Sequence, residues 1–387
     1  MMVEPGQWLG ILGGGQLGRM FCQSAQALGY RVLVLDPDAQ SPAVDIADDH
    51  VLAAYDDAAG LDELASRCQA ISTEFENVPA LSLQRLARRS HVMPAAGPVG
   101  IAQDRCEEKR FIQSVGVAVA PYAEIRSIED LQRADRALFP GILKAARLGY
   151  DGKGQYRVAS LDEAVHAFHH MGDVPCVLEA MLDLNKELSV VLARDINGQV
   201  AVYPAARNIH HNGILAVTHV DGRVDDDTTM ACEAAKAIAQ GLGYHGVLCV
   251  EFFVLKNGKL VVNEMAPRPH NSGHYTQNAC VTSQFEQQAR VMAGLPLGLT
   301  RLHSPAVMLN LLGDVWLPDG GDHRVEPDWA AVLAKPGTAL HLYGKREARS
   351  GRKMGHINVT AERFEEAVEI ANQIVAQLGL PVQATLR

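Results

Sequence analysis

Glu251 and Glu264 are the residues whose setting most demands chemistry. Each lies in an apolar run, Val250-Glu251-Phe252-Phe253 and Val261-Val262-Asn263-Glu264, and the turn signal Asn257-Gly258 between the runs folds them into a hairpin. A carboxylate embedded in an apolar strand is costly without a partner. Two of them at one end of a hairpin imply a cation between them, and hard oxygen ligands beside the Asn263 amide suit Mg2+ carrying nucleotide phosphates. The competing assignment is an ion pair of one glutamate with an arginine such as Arg268. The next segment, Met265-Ala266-Pro267-Arg268-Pro269-His270-Asn271-Ser272-Gly273-His274, is dense in donors and constrained by proline. Such a loop needs anions; Arg268 suits a developing phosphoryl or carboxylate charge, and His274 beside Arg268, Asn271 and Ser272 is the histidine to single out.

Two further stretches could hold phosphate. Gly149-Tyr150-Asp151-Gly152-Lys153-Gly154-Gln155 follows Lys144 at a strand end; it lacks the G-K-[ST] of a Walker loop, but its glycines let backbone approach a phosphate while Lys144 reaches the oxygens. Glu179-Ala180-Met181-Leu182 ends another strand and could offer backbone groups to an adenine, with Glu187 placed to accept from ribose hydroxyls. Nearer the start, Gly13, Gly15 and Gly18 fit G-x-G-x-x-G after a strand, with Asp36 ending the next strand. That pattern alone fits a dinucleotide, another anion at a helix N-terminus, or a structural turn.

The elements that position these residues alternate strand and helix at the start: strands at 8–12, 31–36 and 70–75, helices to about Leu28 and from Pro79 to Arg89. This reads as a doubly wound parallel sheet. A break near Pro94 and Pro98 suggests a boundary, giving an N-terminal α/β domain over 1–104, a mixed central domain over 105–295 and a smaller β-rich C-terminal domain over 296–387. The chain has 387 residues, 48% hydrophobic and 21% charged, ordinary for a folded protein. A net charge of −10 argues against a nucleic-acid binder. The seven cysteines are odd in number and scattered, which suits reduced core thiols. No apolar run is long enough to span a bilayer, and the first residues lack a signal-peptide pattern, so the expected compartment is the cytoplasm.

Taken together, Lys109, Lys144, the glycine loop, Glu179–Leu182, Glu187, Glu251 and Asn263-Glu264 resemble, in order and spacing, the ATP-grasp superfamily. More narrowly the chain is similar to the carboxyaminoimidazole ribonucleotide synthase family, on Gly15-Gln16-Leu17-Gly18-Arg19-Met20, the Gly149–Gln155 loop, the 263–274 segment and Gly351-Arg352-Lys353-Met354-Gly355-His356. The resemblance implies a pre-ATP-grasp α/β domain, an ATP-grasp fold and a small C-terminal domain. It implies the use of ATP and Mg2+ to join bicarbonate to aminoimidazole ribonucleotide through carboxyphosphate, in a homodimer. Residue by residue, ATP falls to Arg105, Lys144, Gly149, Tyr150, Asp151, Gly152, Lys153, Gly154, Gln155, Glu179, Ala180, Met181, Leu182, Glu187, His210, Asn263 and Glu264. The metal falls to Glu251 and Glu264, and the ribonucleotide to Gln16, Leu17, Glu76, Asn271, Ser272, Lys345, Arg352 and Lys353. Catalysis falls to Arg268, Lys353, Tyr150, Asp151 and His274. The resemblance also gives the glycine turn no dinucleotide, turning it instead towards the ribonucleotide. One departure is Leu148, where the family often carries glycine.

Overall fold

The computed structural model describes residues 2–149, 154–317, 323–382 and 384. The N-terminal alternation forms a parallel sheet of β1 (Trp8–Leu12), β2 (Arg31–Asp36), β3 (Asp49–Leu52), β4 (Ala70–Thr73) and β5 (His91–Val92), in the order β3-β2-β1-β4-β5. The unbroken apolar run of β2 is explained by cover on both faces. Val32 and Val34 pack with Phe21 of the helix Gln16–Ala27 and with Phe285 and Met292 of the helix Gln284–Ala293. Leu33 and Leu35 pack on the other side with Leu61 and Leu64 of the helix Ala58–Arg67. β4 stops at Thr73, two residues short of the expectation, where the Thr73 hydroxyl donates to the Phe75 carbonyl at 2.8 Å and turns the chain outward. The helix expected from Pro79 to Arg89 is shorter, Ala80–Leu86.

The central part contributes two antiparallel sheets. A small one, ordered β6-β9-β7-β8, contains β6 (Tyr122–Ile125), β7 (Gly141–Ala145), β8 (Gln155–Val158) and β9 (Cys176–Ala180). The large one has nine strands. From the central part come β10 (Leu184–Arg194), β11 (Val200–Val202), β12 (Ala206–His211), β13 (Ile214–Val220), β14 (Gly246–Leu255) and β15 (Leu260–Ala266). From the C-terminal part come β16 (Ala306–Leu312), β17 (Thr338–Leu342) and β18 (Lys353–Thr360). Its order is β15-β14-β10-β12-β13-β16-β18-β17, with β11 on β10. One sheet therefore crosses residue 296 unbroken, β13 pairing β16 from Val217↔Leu309 to Val220↔Ala306. Leu188, Val190, Val250 and Phe252 face the helix Asp226–Gly241 through Ala231, Ala235 and Ile238. Their alternate neighbours Glu187, Ser189 and Glu251 are thereby turned to the opposite face, towards the loop that follows β15.

Candidate active site

Glu251 and Glu264 are direct cross-strand partners in the β14–β15 hairpin, and a β-bulge makes them so. Near the turn Phe252 pairs Val262, and that register would set Asn263 opposite Glu251. The shift between Glu251 and Phe252 brings Glu264 there instead. Burial, and then the charge of Glu264, push the Glu251 carboxyl up from 4.5 to about 7. Glu264 is 39% exposed and carries an arginine, but it is Arg105 Nη1 at 3.0 Å rather than Arg268. A divalent cation would relieve the Glu251–Glu264 repulsion. Two carboxylates with room for phosphate oxygens and waters suit Mg2+, which rarely takes an all-protein cage. Among the described residues no group of three or more histidine, cysteine, aspartate or glutamate side chains forms a self-sufficient metal cage.

The helix Arg105–Ser114, capped by Asp104 accepting from Cys106 N and Glu107 N, projects three charged side chains from one face at helical spacing. Arg105 meets Glu264. Glu108 accepts from Met265 N at 2.6 Å. Lys109, 1% exposed, lies 3.0 Å from Glu179 Oε1. Lys144 donates to the other oxygen of Glu179 at 2.9 Å. Burial alone would raise Glu179, but Lys144 and Lys109 outweigh it and hold the carboxyl at about 2. On the large sheet Glu187 contacts His210 Nδ1 at 2.5 Å; burial opposes the imidazolium, but Glu187 prevails and raises it above 6.5. The Ala180 and Met181 N–H groups donate to the Pro121 and Pro140 carbonyls, so those two donors are already engaged within the protein. Leu182 is half-buried beside them. Of the glycine loop, Gly149 accepts from Arg105 Nη2 at 3.5 Å, Gly154 accepts from Ala145 N at 2.9 Å, and Gln155 pairs Lys144. Leu148, where family members often have glycine, adopts φ +62°. Tyr150, Asp151, Gly152 and Lys153 lie outside the described residues.

A cleft of about 400 Å³ joins this region to the N-terminal sheet and the C-terminal strands. Gln16, Leu17, Glu76, Arg105, Gly149, Glu264, Arg268, His270, Asn271 and Lys353 all line it. Arg268 Nε donates to Glu76 at 2.6 Å. Burial would raise the Glu76 carboxyl, but Arg268 holds it below the ordinary value. Of the basic stretch, Lys353 alone reaches this cleft among the described residues. Lys345 Nζ donates to the Lys353 carbonyl at 2.7 Å, and Arg352 Nη1 to the Glu347 carbonyl at 3.0 Å. His274 is placed elsewhere. It is fully buried, stacked on His356 at 4.4 Å between ring centroids, so its imidazole packs the core behind the cleft. Ser272 is likewise fully buried and does not line the cleft.

The glycine turn is filled from within. Asp36 accepts from Gly14 N at 2.6 Å and from the Tyr55 hydroxyl at 2.6 Å. Glu74 accepts from Gly15 N with one oxygen and from Gly18 N at 2.7 Å with the other. A side chain at Gly13 or Gly15 would collide with Glu74. Two carboxylates thus occupy the N–H groups that a pyrophosphate would need. The fingerprint is real in sequence, but its acidic residue braces the turn instead of meeting a ribose.

Sequence reasoning misses three residues here. Glu74 carried a signal, a glutamate ending a strand beside the glycine turn, yet nothing local distinguishes it from Glu76. Glu108 stands at helical spacing from Arg105, and His270 lies in a motif already singled out. Burial, then Glu264, raise Glu108 from 4.5 to about 8, although Arg105 pulls it down. The folded chain therefore holds protons on Glu108 and Glu251 that the unfolded chain releases, and stability falls as pH rises through those values. Buried His270, His274 and His356, held well below 6.5 chiefly by burial, act oppositely only below about pH 6.5. The Tm without metal is thus expected to fall from pH 6.5 to 8.5, and Glu108→Gln to flatten the upper part of that fall. A Tm rising with pH in both proteins contradicts the assignment.

Three family models match successive stretches: the ribonucleotide synthetase preATP-grasp domain over residues 7–103, the ATP-grasp domain over 110–285, and the phosphoribosylaminoimidazole carboxylase C-terminal domain over 306–370. The chain is 46% identical to the N5-carboxyaminoimidazole ribonucleotide synthase of Brucella melitensis over 359 residues, covering 92% of this chain and 96% of that one. It is 40% identical to the enzyme of that name from Bacillus subtilis over 378 residues, covering 96% of each. The Staphylococcus aureus enzyme in complex with ADP superposes with a TM-score of 0.89 at 36% identity, covering 97% of this chain and 98% of that one. The Aspergillus clavatus enzyme with ADP and 5-aminoimidazole ribonucleotide gives 0.87 at 29%, covering 97% and 99%. No helix among the described residues is long and apolar enough to cross a membrane. With its parallel N-terminal sheet, its hairpin glutamates and its three domain matches in this order, the chain belongs to the N5-carboxyaminoimidazole ribonucleotide synthase family of ATP-grasp ligases.

Proposed function

We propose that this cleft spends ATP to activate bicarbonate and passes the carboxyl group to the amine of aminoimidazole ribonucleotide, as a step of purine biosynthesis. The observation that carries this reading is that Glu264, Arg268 and Lys353 share one cavity with Gln16 and Glu76. On this reading the phosphoryl-transfer end and the sugar-facing end of the cleft are contiguous. A bicarbonate oxygen attacks the γ-phosphorus, the bond to the bridging oxygen breaks, and ADP leaves with carboxyphosphate held in place. The amine then bonds to the carbonyl carbon as phosphate leaves, or to CO2 after phosphate has left, and its proton passes to the released phosphate or to solvent. Lys144 and Lys109 steady the nucleotide phosphates, and Arg268 stabilises charge on the transferring group. Glu251 and Glu264 would hold Mg2+, which supplies charge neutralisation between phosphates. Lys353 and Glu76 orient the ribonucleotide; Tyr150, Asp151 and Lys153, outside the described residues, keep the ATP-binding roles, and Tyr150 and Asp151 the catalytic ones, that the resemblance gives them. A homodimer and a cytoplasmic setting belong to the same reading, as does a division at residues 104 and 295, the second of which separates segments that share one sheet rather than independently folding units.

The test is ADP release. It should require aminoimidazole ribonucleotide and bicarbonate together, and neither formate with glycinamide ribonucleotide nor biotin should replace them. ADP release with either of those alternatives would move the chain to a sister activity. Because Lys353 lines the cleft and Arg352 does not, Lys353→Ala is expected to raise the KM for the ribonucleotide by roughly 10- to 100-fold, with the KM for ATP within about twofold. Arg352→Ala should change the ribonucleotide KM far less. Equal effects of Lys353→Ala on both substrates would remove it from the ribonucleotide end.

A further inference from the structure

A buried line of polar side chains runs from the middle of the large sheet to the cleft. Thr218 Oγ1 bonds Asn208 Oδ1 at 3.0 Å, and Asn208 Nδ2 donates to Ser189 Oγ at 2.9 Å. Ser189 Oγ donates to Ser272 Oγ at 2.7 Å, and Ser272 Oγ stands 2.8 Å from His270 Nδ1. None of the first four residues is more than 5% exposed. The register explains the alignment: Ser189 sits between Glu251 on β14 and Ala206 on β12, and Asn208 opposes Thr218. None of these hydroxyls lines the cleft, and a buried polar chain of this length needs a reason beyond its own satisfaction.

The end of the chain supplies one. His270 caps the short turn Asn271–Gly273, its Nδ1 accepting from the Ser272 backbone N–H at 3.3 Å. A nitrogen that accepts from a backbone amide carries no proton, so in the neutral ring the proton is on Nε2. With Nδ1 an acceptor, the Ser272 hydroxyl must be its donor. Ser272 can do this while receiving from Ser189, which in turn receives from Asn208. Donors then run one way along the chain. At its far end His270 Nε2 faces the cleft, 3.7 Å from Glu251 Oε1.

We propose that Ser272, backed by Ser189 and Asn208, is a positioning residue that locks His270 as the Nε2–H tautomer, so that His270 presents a hydrogen-bond donor, never a base, to the oxygens of the transferring group. This deepens the function proposed above and rests on it. It gives Ser272 a role behind the cleft in place of direct substrate contact, and it excludes His270 as the group that takes the amine proton. Outer partners that orient metal-bound histidines account for about 10- to 100-fold in activity, and a loss at the lower end of that scale is expected for Ser272.

The experiment uses the full chain with 15N-labelled histidine, long-range proton–nitrogen correlation spectra, and His270→Gln to assign the signal. The expected native spectrum shows a neutral ring protonated at Nε2. In Ser272→Ala only the longer bond from the backbone N–H, at 3.3 Å, is left to hold Nδ1 as an acceptor, so the signal should move part of the way towards a mixture of tautomers. Its kcat should fall roughly 10-fold with both KM values within about twofold, because the lost orientation matters only in the transition state. Ser189→Ala should show the same pattern more weakly, and Ser189→Thr, which keeps the hydroxyl, should recover it. A native His270 protonated at Nδ1 overturns the proposal whether or not any variant folds, as does a folded Ser272→Ala with native kcat. Loss of the proposed function would appear separately, as native enzyme whose ADP release ignores the ribonucleotide.

Discussion

Replacing Glu264 by glutamine is expected to lower kcat by about a thousandfold, some 4 kcal/mol of transition-state stabilisation, while leaving the melting temperature nearly unchanged. The two halves of this expectation have separate origins. Glu264 is the more exposed of the pair and its amide analogue can still accept from Arg105, so the fold loses little. Removing its charge also relieves Glu251, whose carboxyl should titrate below its present value of about 7 yet stay above 4.5 through burial. On the proposed metal role, the reaction by contrast loses a hard anionic ligand where nucleotide phosphates need charge neutralised. Steady-state ADP release, a melting curve and a titration of Mg2+ against nucleotide binding check the three consequences. Turnover within a few-fold of native would remove Glu264 from the metal site.

Glu179→Ala is expected to act mainly on stability. The glutamate is 5% exposed in its side chain and is shared by Lys144 and Lys109, themselves 10% and 1% exposed. Its removal leaves two buried ammonium groups unpaired, which costs about 3–5 kcal/mol, or roughly 4–6 °C in Tm for a 387-residue chain melting as one. Lys144→Met leaves Glu179 still paired with Lys109 and should melt closer to native, while its KM for ATP rises more than that of any neighbour. If Glu179→Ala melts within about two degrees of native, the lysines must have found other partners or released their protons, and the triad is not what holds the small sheet to the helix Arg105–Ser114.

Much of this was legible in the sequence because the signals were local. Asn257-Gly258 between two apolar runs specifies a hairpin, and the helices after β1 and before β4 mark the parallel sheet, although β3 follows β2 with no helix between them. The hairpin β12–β13 had an equally plain signal in Asn212-Gly213, weakened by the histidines around it. What stayed hidden was set by distance or by single residues of register. Whether Glu251 meets Glu264 or Asn263 depends on one bulge that no propensity encodes. Glu74 reaches Gly15 and Gly18 across more than fifty residues of chain, so only the folded sheet shows that the dinucleotide fingerprint is closed from inside. His270 and His274 look alike in a proline-rich loop. The turn at Asn271–Gly273 sends one to the cleft and stacks the other on His356.

The strand β13 has a history before it has a neighbour. Its far side is completed by β16, which lies on the other side of residue 296 and leaves the ribosome later. At about 5–20 residues per second the nascent chain carries this edge open for on the order of ten seconds. During that time Val217 and Val220, both buried in the finished sheet, stand beside unpaired backbone groups, the usual invitation to a foreign strand. Fragments ending near residue 296 should therefore aggregate when expressed alone, and the ATP-grasp portion cannot be lifted out of this chain as a free-standing module.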